Sequence, residues 1–209
     1  MVMEKYETKT EIFQQWLNEL KDYHAEYHSI PTYSYMMKMF SISKGSVSRF
    51  MQLLKSYDLM DIGPDDQLIP GKRFFDIPFT DDKVQAGEFT ESFGQNGGYR
   101  SVPGIMIRKP SITRMMQIKG DSMIDLEIYD GDWALYEKRP MANVKDIVIA
   151  LLEGANSYTI KELGKEGDNY ILIPHNKAYE IIRPKTNFYI EGVLINTIKS
   201  SDARFALAS

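Results

Sequence analysis

The chain has 209 residues, with 25 Lys plus Arg against 29 Asp plus Glu, no Cys, and 43% apolar residues. This composition predicts a soluble globular protein of one or two domains rather than a disordered chain. The absence of Cys excludes thiol catalysis, thiolate metal sites and disulfides. The longest wholly apolar run, Ile147 to Leu152, is too short to span a membrane, and the charged start lacks a signal-peptide core, so we expect a cytoplasmic protein. The net charge of −4 disfavours a general polyanion binder.

The first forty residues predict two helices. Thr8 and Glu11 have the spacing of a capping box, and apolar residues follow at helical intervals, which predicts a helix from about residue 9 to 27. Thr32 is placed to cap a short second helix that runs to Phe40.

The third helix has the clearest pattern, and a small hairpin follows it. Its apolar residues fall at i, i+3, i+4, i+7 and i+10, and are Val47, Phe50, Met51, Leu54 and Tyr57. Residues 59–62 and 67–69 then predict two short strands joined by the turn Gly63-Pro64-Asp65-Asp66. Three helices closed by a hairpin are typical of a winged helix-turn-helix.

From Pro70 onward the sequence contains Pro, Gly and short mixed runs without helical periodicity, which predicts a domain boundary near residues 71–76. We expect a winged helix-turn-helix domain over 1–74, and over 75–209 a linker followed by an all-β, mostly antiparallel domain, so that the chain as a whole is α+β. The predicted strands are Met115 to Lys119, Trp133 to Glu137, Asp146 to Leu152, Ser157 to Leu163, Tyr170 to Ile173, Ala178 to Ile182 and Phe188 to Ile198.

The charge is distributed unevenly within the first domain. Between Tyr27 and Tyr57 there is no Asp or Glu, whereas four Lys or Arg fall there. A helix that reads a DNA groove needs polar and basic groups on its exposed first turns. The candidate DNA-binding residues are Ser43, Lys44, Ser46, Ser48 and Arg49. The alternative is that they form the solvated face of a structural three-helix bundle.

Two residues of the second domain are candidates for nucleophile and base. Ser122 lies in a Gly-containing turn after an apolar strand, where most serines only make local hydrogen bonds. Lys161 lies on a strand, on the face that carries Thr159 and Leu163. An unperturbed lysine is neutral only about once in 2,500 at pH 7, so burial must lower its pKa before it can act as a base. The domain's one His, His175, is in a turn and gives no convincing triad.

The order of several motifs resembles the self-cleaving peptidase domain of LexA repressors, UmuD and phage repressors. The segments that carry this resemblance are Val84 to Glu88, Gly120 to Met123, Ile128 to Asp132, Asp146 to Ala150, Tyr158 to Leu163, Leu172 to Asn176 and Tyr189 to Val193. The helix-turn-helix pattern also occupies the place that LexA gives it, so the resemblance covers nearly the whole chain.

The resemblance implies a DNA-damage (SOS) repressor that cuts itself. Ser122 would be the nucleophile, Lys161 the general base, and Ala86-Gly87 the scissile bond. It further implies binding to double-stranded operator DNA, a homodimer formed through the C-terminal domain, and cleavage stimulated by RecA filaments on single-stranded DNA. We expect no metal and no cofactor. The third helix matches LexA poorly in its base-reading turns, so the operator sequence does not transfer.

Two other functions use the same chemistry. One is a UmuD-like accessory factor of an error-prone DNA polymerase, which cleavage would activate, and specific duplex binding by the N-terminal domain distinguishes it from a repressor. The other is a prophage or plasmid repressor with a different set of target genes.

Overall fold

A computed structural model describes residues 2–86, 99–152, 158–184 and 188–200, with the backbone alone for 2–11, 79–86 and 99. The chain divides into two compact units. The first extends through Asp76 and also includes Ser101–Ser111, and the second contains Ile77–Arg100 and the chain from Ile112 onward. In the described part of the chain, no helix is long and apolar enough to cross a membrane.

The first unit contains three α-helices and a two-stranded hairpin in its described residues. The helices are α1 (Val2–Tyr27), α2 (Tyr33–Met39) and α3 (Lys44–Ser56), and the hairpin pairs β1 (Met60–Ile62) antiparallel with β2 (Leu68–Pro70). Thr32 caps α2 by accepting from the Tyr35 N–H at 3.3 Å, and Ser43 caps α3 by accepting from the Ser46 N–H at 3.2 Å. The hydroxyl groups therefore satisfy N–H groups that have no partner within the helix.

The predicted start of the first helix was wrong. The helix begins at Val2 rather than near Lys9, so Thr8 lies inside it and does not cap it. Residues 2–8 contain neither Gly nor Pro, so no helix-breaking residue prevents the helix from extending beyond the predicted capping box at Thr8 and Glu11.

One apolar core holds these helices and the hairpin together. Trp16 of α1 stacks on Phe40 with ring centroids 5.5 Å apart, and Phe50 of α3 meets both rings edge to face. The buried members are Leu17, Leu20, Met36, Phe40, Val47, Phe50, Met51, Leu54, Met60 and Phe74. The predicted stripe of α3 is thus its buried face, except that Tyr57 is exposed.

The chain also forms a mostly antiparallel sheet of eight strands, in the order β4-β3-β5-β6-β10-β7-β8-β9. The strands are β3 (Asp76–Ala86), β4 (Tyr99–Ser101), β5 (Thr113–Gly120), β6 (Trp133–Lys138), β7 (Ile147–Leu152), β8 (Tyr158–Glu166), β9 (Asn169–Ile173) and β10 (Phe188–Ile198). β3 runs parallel to β5, and the register pairs Ala86 with Gly120.

The sheet is buried on both faces around β7. Ile149 belongs to one apolar cluster and Val148 and Ala150 to another, which accounts for the uninterrupted apolar run in the sequence. The predicted strand over 178–182 was wrong, because only Ile182 pairs, in an isolated bridge with Leu172. A turn in which the Tyr179 N–H donates to the Asn176 carbonyl occupies its start.

Candidate active site

Ser122 lies in the turn that leaves β5. Gly120 ends the strand with φ +93°, a left-handed conformation that side chains rarely adopt, and its N–H donates to Asp130 Oδ1 at 2.7 Å. Met123 follows the serine and is fully buried in an apolar cluster. The turn is thereby fixed on both sides of Ser122, whose own exposure is 0%.

Lys161 lies in the middle of β8, a strand between β7 and β9. Its neighbour across the ladder is Val148 of β7, which is fully buried, and Lys161 itself is 3% exposed. Burial disfavours the charged ammonium and lowers the pKa of Lys161 from 10.5 to about 8. About one molecule in ten then carries the neutral amine at pH 7.

The two side chains meet in this buried position. Lys161 Nζ is 2.8 Å from Ser122 Oγ, although 39 residues separate them in the chain. Nζ is also 2.9 Å from Thr159 Oγ1 and 2.9 Å from the Ile160 carbonyl oxygen. A neutral amine has two N–H donors and one lone pair, so donation to Thr159 and Ile160 directs the lone pair at the Ser122 hydroxyl. This arrangement can remove a proton from the serine.

The loop of residues 175–179, which follows β9, holds the turn around Ser122 in place. The His175 N–H donates to the Ser122 carbonyl at 2.8 Å, and the His175 carbonyl accepts from the Asp125 N–H at 2.8 Å. Asn176 Nδ2 donates to the Asp121 carbonyl at 3.0 Å, and the Tyr179 hydroxyl donates to the Asp121 carboxylate. The loop therefore holds the residues before, at and after the candidate nucleophile.

The side chain of His175 contacts Glu162 and not Ser122. His175 Nε2 lies 2.7 Å from Glu162 Oε2, and Glu162 directly follows Lys161 on β8. The pair thus joins the loop that holds Ser122 to the strand that carries Lys161. Sequence reasoning missed the roles of Thr159 and His175, although the position of Thr159 two residues before Lys161, on the same strand face, was a usable signal.

The candidate cleavage site lies partly outside the described residues. Ala86 is the last residue of β3 and pairs with Gly120, two residues before Ser122, whereas Gly87 is not described. β3 therefore runs beside the strand that ends at the serine turn.

The candidate DNA-binding residues occupy the start of α3 and the residue before it. Lys44 and Arg49 are exposed, while Ser46 and Ser48 are half-buried. Ser43 is exposed but is used as the cap, and its Oγ lies 3.1 Å from Ser46 Oγ. In the described residues, no group of three or more His, Cys, Asp or Glu side chains is arranged to hold a metal ion.

Residues 78–195 match the model of the family described as Peptidase S24-like. The chain belongs to this family. The matched range contains Ser122 and Lys161, together with the loop around His175 and the residues of the candidate cleavage site.

Several relatives of this chain are LexA repressors, which confirms the predicted resemblance to LexA-type proteins. The chain is 38% identical over 114 residues to the LexA repressor of Clostridium acetobutylicum, which is 54% of each chain. It is 40% identical over 87 residues to LexA repressor 2 of Pseudomonas syringae pv. tomato, covering 41% of this chain and 42% of that one. With the LexA repressor of Streptomyces coelicolor it shares 43% over 85 residues, 41% of this chain and 35% of the relative. The matched part thus spans about half the length of these relatives or less.

Proposed function

We propose that this protein is a DNA-binding transcriptional repressor that inactivates itself by cutting the Ala86-Gly87 bond. The observation that carries this proposal is the buried 2.8 Å contact between Lys161 Nζ and Ser122 Oγ. Residues 1–74 bind operator DNA, and residues 75–209 carry the cleavage site, the peptidase centre and the dimer contact. A cut between the two parts breaks the covalent link between the DNA-binding part and the dimer.

In the first chemical step, neutral Lys161 takes the proton of the Ser122 hydroxyl as Oγ attacks the carbonyl carbon of Ala86. The tetrahedral intermediate collapses, the C–N bond to Gly87 breaks, and the Lys161 ammonium returns its proton to the leaving amine. Water, deprotonated by Lys161, then hydrolyses the Ala86 ester and regenerates the serine. The attacked bond belongs to the same chain, so the reaction gains the high effective concentration of an intramolecular step.

The backbone register supports Ala86-Gly87 as the substrate. Ala86 pairs with Gly120 in the parallel ladder of β3 and β5, and Gly120 is two residues from the nucleophile. β3 lies between β4 and β5 in the sheet, so backbone pairing holds Ala86 in an extended conformation beside the strand that leads to Ser122.

The N-terminal helices support a repressor over the UmuD-like alternative. α3 presents exposed Lys44 and Arg49 next to its capped N-terminus, and the segment between Tyr27 and Tyr57 contains no acid. Backbone N–H groups and basic side chains at a helix start suit phosphate and base contacts. Each monomer has few basic groups, so operator binding requires the homodimer, in which two domains occupy two half-sites.

The biological trigger is part of the same proposal. The repressed genes are those of the DNA-damage response, and RecA filaments on single-stranded DNA stimulate the cut. A prophage or plasmid repressor would have the same cleavage chemistry, and a survey of the promoters that the protein occupies distinguishes the two.

Incubation of the purified full chain at alkaline pH tests the cleavage. The wild type is expected to give two fragments, 1–86 and 87–209, identified by mass spectrometry. Ser122→Ala and Lys161→Ala are expected to stay intact, because each lacks one partner of the proton transfer.

Lys165→Ala is the matched control, because Lys165 lies on the same strand but is exposed. It is expected to cleave like the wild type. Fragments of the same mass from Ser122→Ala would reject the proposed nucleophile.

A further inference from the structure

The proposed cut separates two pieces of chain that belong to one compact unit. The first unit contains not only the chain up to Asp76 but also Ser101–Ser111. Those eleven residues follow Gly87 in the sequence, so they belong to the C-terminal cleavage fragment. Breaking the Ala86-Gly87 bond removes the covalent link and leaves the contacts inside the first unit unchanged.

Polar contacts hold both ends of the segment. At its end, Ser111 donates from its N–H to Asp22 Oδ1 at 3.0 Å and from its hydroxyl to Asp22 Oδ2 at 2.5 Å. At its start, the Ser101 hydroxyl donates to Asp76 Oδ1 at 2.5 Å. Asp22 and Asp76 both lie before the cut, and hydrogen bonds to carboxylates are among the stronger ones in proteins.

Apolar packing fixes the middle of the segment. Gly104 lies so close to Phe75 that an added Cβ would stand 3.0 Å from the ring. Phe75 in turn packs edge to face on Phe74, with centroids 5.2 Å apart. Within the segment, Val102 and Ile107 are buried, with exposures of 4% and 7%. The close approach of Gly104 to Phe75 therefore joins the middle of the segment to a residue that precedes the cut.

The packing is nevertheless incomplete. An open cleft of about 940 Å³ lies between the second half of α1 and the segment, lined among others by His24, Ile105 and Arg108. Ile105 is 96% exposed. A contact that buries only part of an eleven-residue segment gives an association that dilution can reverse.

We propose that self-cleavage leaves a nicked complex, in which the C-terminal fragment stays bound to the N-terminal fragment through Ser101–Ser111, in addition to the pairing of β3 with β5 across the cut. This inference rests on the proposed function. The partner that fits this surface of α1 and Phe75 is the protein's own downstream segment. Release of the DNA-binding fragment is then a second, concentration-dependent step after peptide-bond hydrolysis, because the cut converts an intramolecular contact into a bimolecular one.

Size-exclusion chromatography of the cleaved full chain tests this proposal. The wild type is cleaved at alkaline pH, returned to neutral pH and run at decreasing concentrations. We expect the fragments to co-elute at high concentration and to separate on dilution. Asp22→Ala removes both acceptors of Ser111 and is expected to weaken fragment association roughly ten-fold or more. Gly104→Leu places a side chain against Phe75 and is expected to have at least the same effect.

Glu26→Ala is the matched control, since Glu26 is another carboxylate of α1 but has an exposed side chain. It is expected to leave co-elution unchanged. Wild-type fragments that separate at every concentration would overturn the proposal. Fragments that stay together equally in Asp22→Ala and Gly104→Leu would also overturn it, because the pairing of β3 with β5 would then hold them without the segment.

A second way of cutting separates this proposal from the proposed function. A recognition sequence for a site-specific protease is inserted after Gly87 in a Ser122→Ala chain, which has no nucleophile. Co-elution after the external cut, lost in Asp22→Ala, supports the nicked complex even if the wild type never cleaves itself. An uncut wild type at alkaline pH would reject the proposed peptidase and leave this result intact.

Discussion

The Ser122–Lys161 centre and the exposed face of α3 differ in how strongly the surrounding fold restricts their chemistry. In the centre, Nζ of Lys161 has three hydrogen-bonding neighbours within 2.9 Å, and both side chains are almost completely buried. On α3, Lys44 and Arg49 are exposed, and among the described residues no hydrogen bond or ion pair fixes the direction of their side chains. A buried polar group needs hydrogen-bond partners, and these partners fix its orientation, so the chemistry of Lys161 and Ser122 can be inferred from the structure. The orientation of an exposed side chain on α3 is instead set by the molecule that binds it.

The largest expected effect is a stability cost at the buried centre. The pKa of Lys161 in the folded chain, about 8, is below its unfolded value of 10.5, so between these pH values the unfolded chain holds the proton and the folded chain does not. The free energy of unfolding therefore rises with pH across this window, by about 3 kcal/mol from this group, and below pH 8 the folded state carries the full cost.

Urea unfolding of Ser122→Ala and of Ser122→Ala with Lys161→Met, both unable to cleave, measures this effect. The difference in unfolding free energy between the two is expected to change by about 3 kcal/mol from pH 8 to 10.5, and titration of other groups cancels in the difference. A constant difference would mean that burial does not depress the pKa of Lys161.

On the exposed face, the expected effect is loss of DNA binding without loss of stability. Lys44→Ala with Arg49→Ala is expected to weaken retention of an operator fragment roughly 30-fold, about 2 kcal/mol, and to reduce the salt dependence of binding. Gel-shift titrations at two salt concentrations measure both effects. Lys72→Ala, an exposed charge of the first unit outside α3, is the control and is expected to have little influence. Unchanged operator binding by the α3 variant would mean that α3 is not the reading helix.

A smaller effect is expected when the orientation of the base is disturbed but its identity is kept. Thr159→Val removes the hydroxyl that accepts from Lys161 at 2.9 Å and keeps the side-chain shape. We expect the cleavage rate to fall roughly ten-fold, about 1.4 kcal/mol, because the lone pair of Nζ is no longer directed at Ser122. Thr159→Ser restores an acceptor and is expected to recover most of the rate, as measured by fragment yield over time. A Thr159→Val rate equal to that of the wild type would show that the threonine does not position the lysine.

Sequence patterns predicted most of the helices and strands because their signals are local. The apolar period of α3 and the turn at Gly63-Pro64 are each readable within about ten residues. β3 was missed because Pro78 and the charged run Asp81-Asp82-Lys83 resemble a linker, although parallel pairing with β5 makes them a strand. Ala178 to Ile182 has strand composition but begins in a turn.

The two reacting residues of the candidate site could be predicted from the sequence, but the contacts that hold them in place could not. Ser122 and Lys161 are residue types with recognisable chemistry in a recognisable order. His175 acts through its backbone N–H and carbonyl, and such contacts leave no signal in residue type. The placement of 101–111 with the first unit depends on long-range packing of common residues such as Gly104 and Ser111, which no local pattern reveals.

The pH dependence of self-cleavage tests the central claim most directly. First-order rates of the full chain are measured from pH 6 to 10.5 for the wild type, Lys161→Ala and Lys165→Ala. Because the pKa of Lys161 lies at about 8, the wild-type rate is expected to rise about ten-fold per pH unit below pH 8 and to level off above it, with Lys165→Ala unchanged and Lys161→Ala inactive. A rate that is independent of pH, or a wild-type profile retained in Lys161→Ala, would contradict a serine peptidase that uses Lys161 as its base.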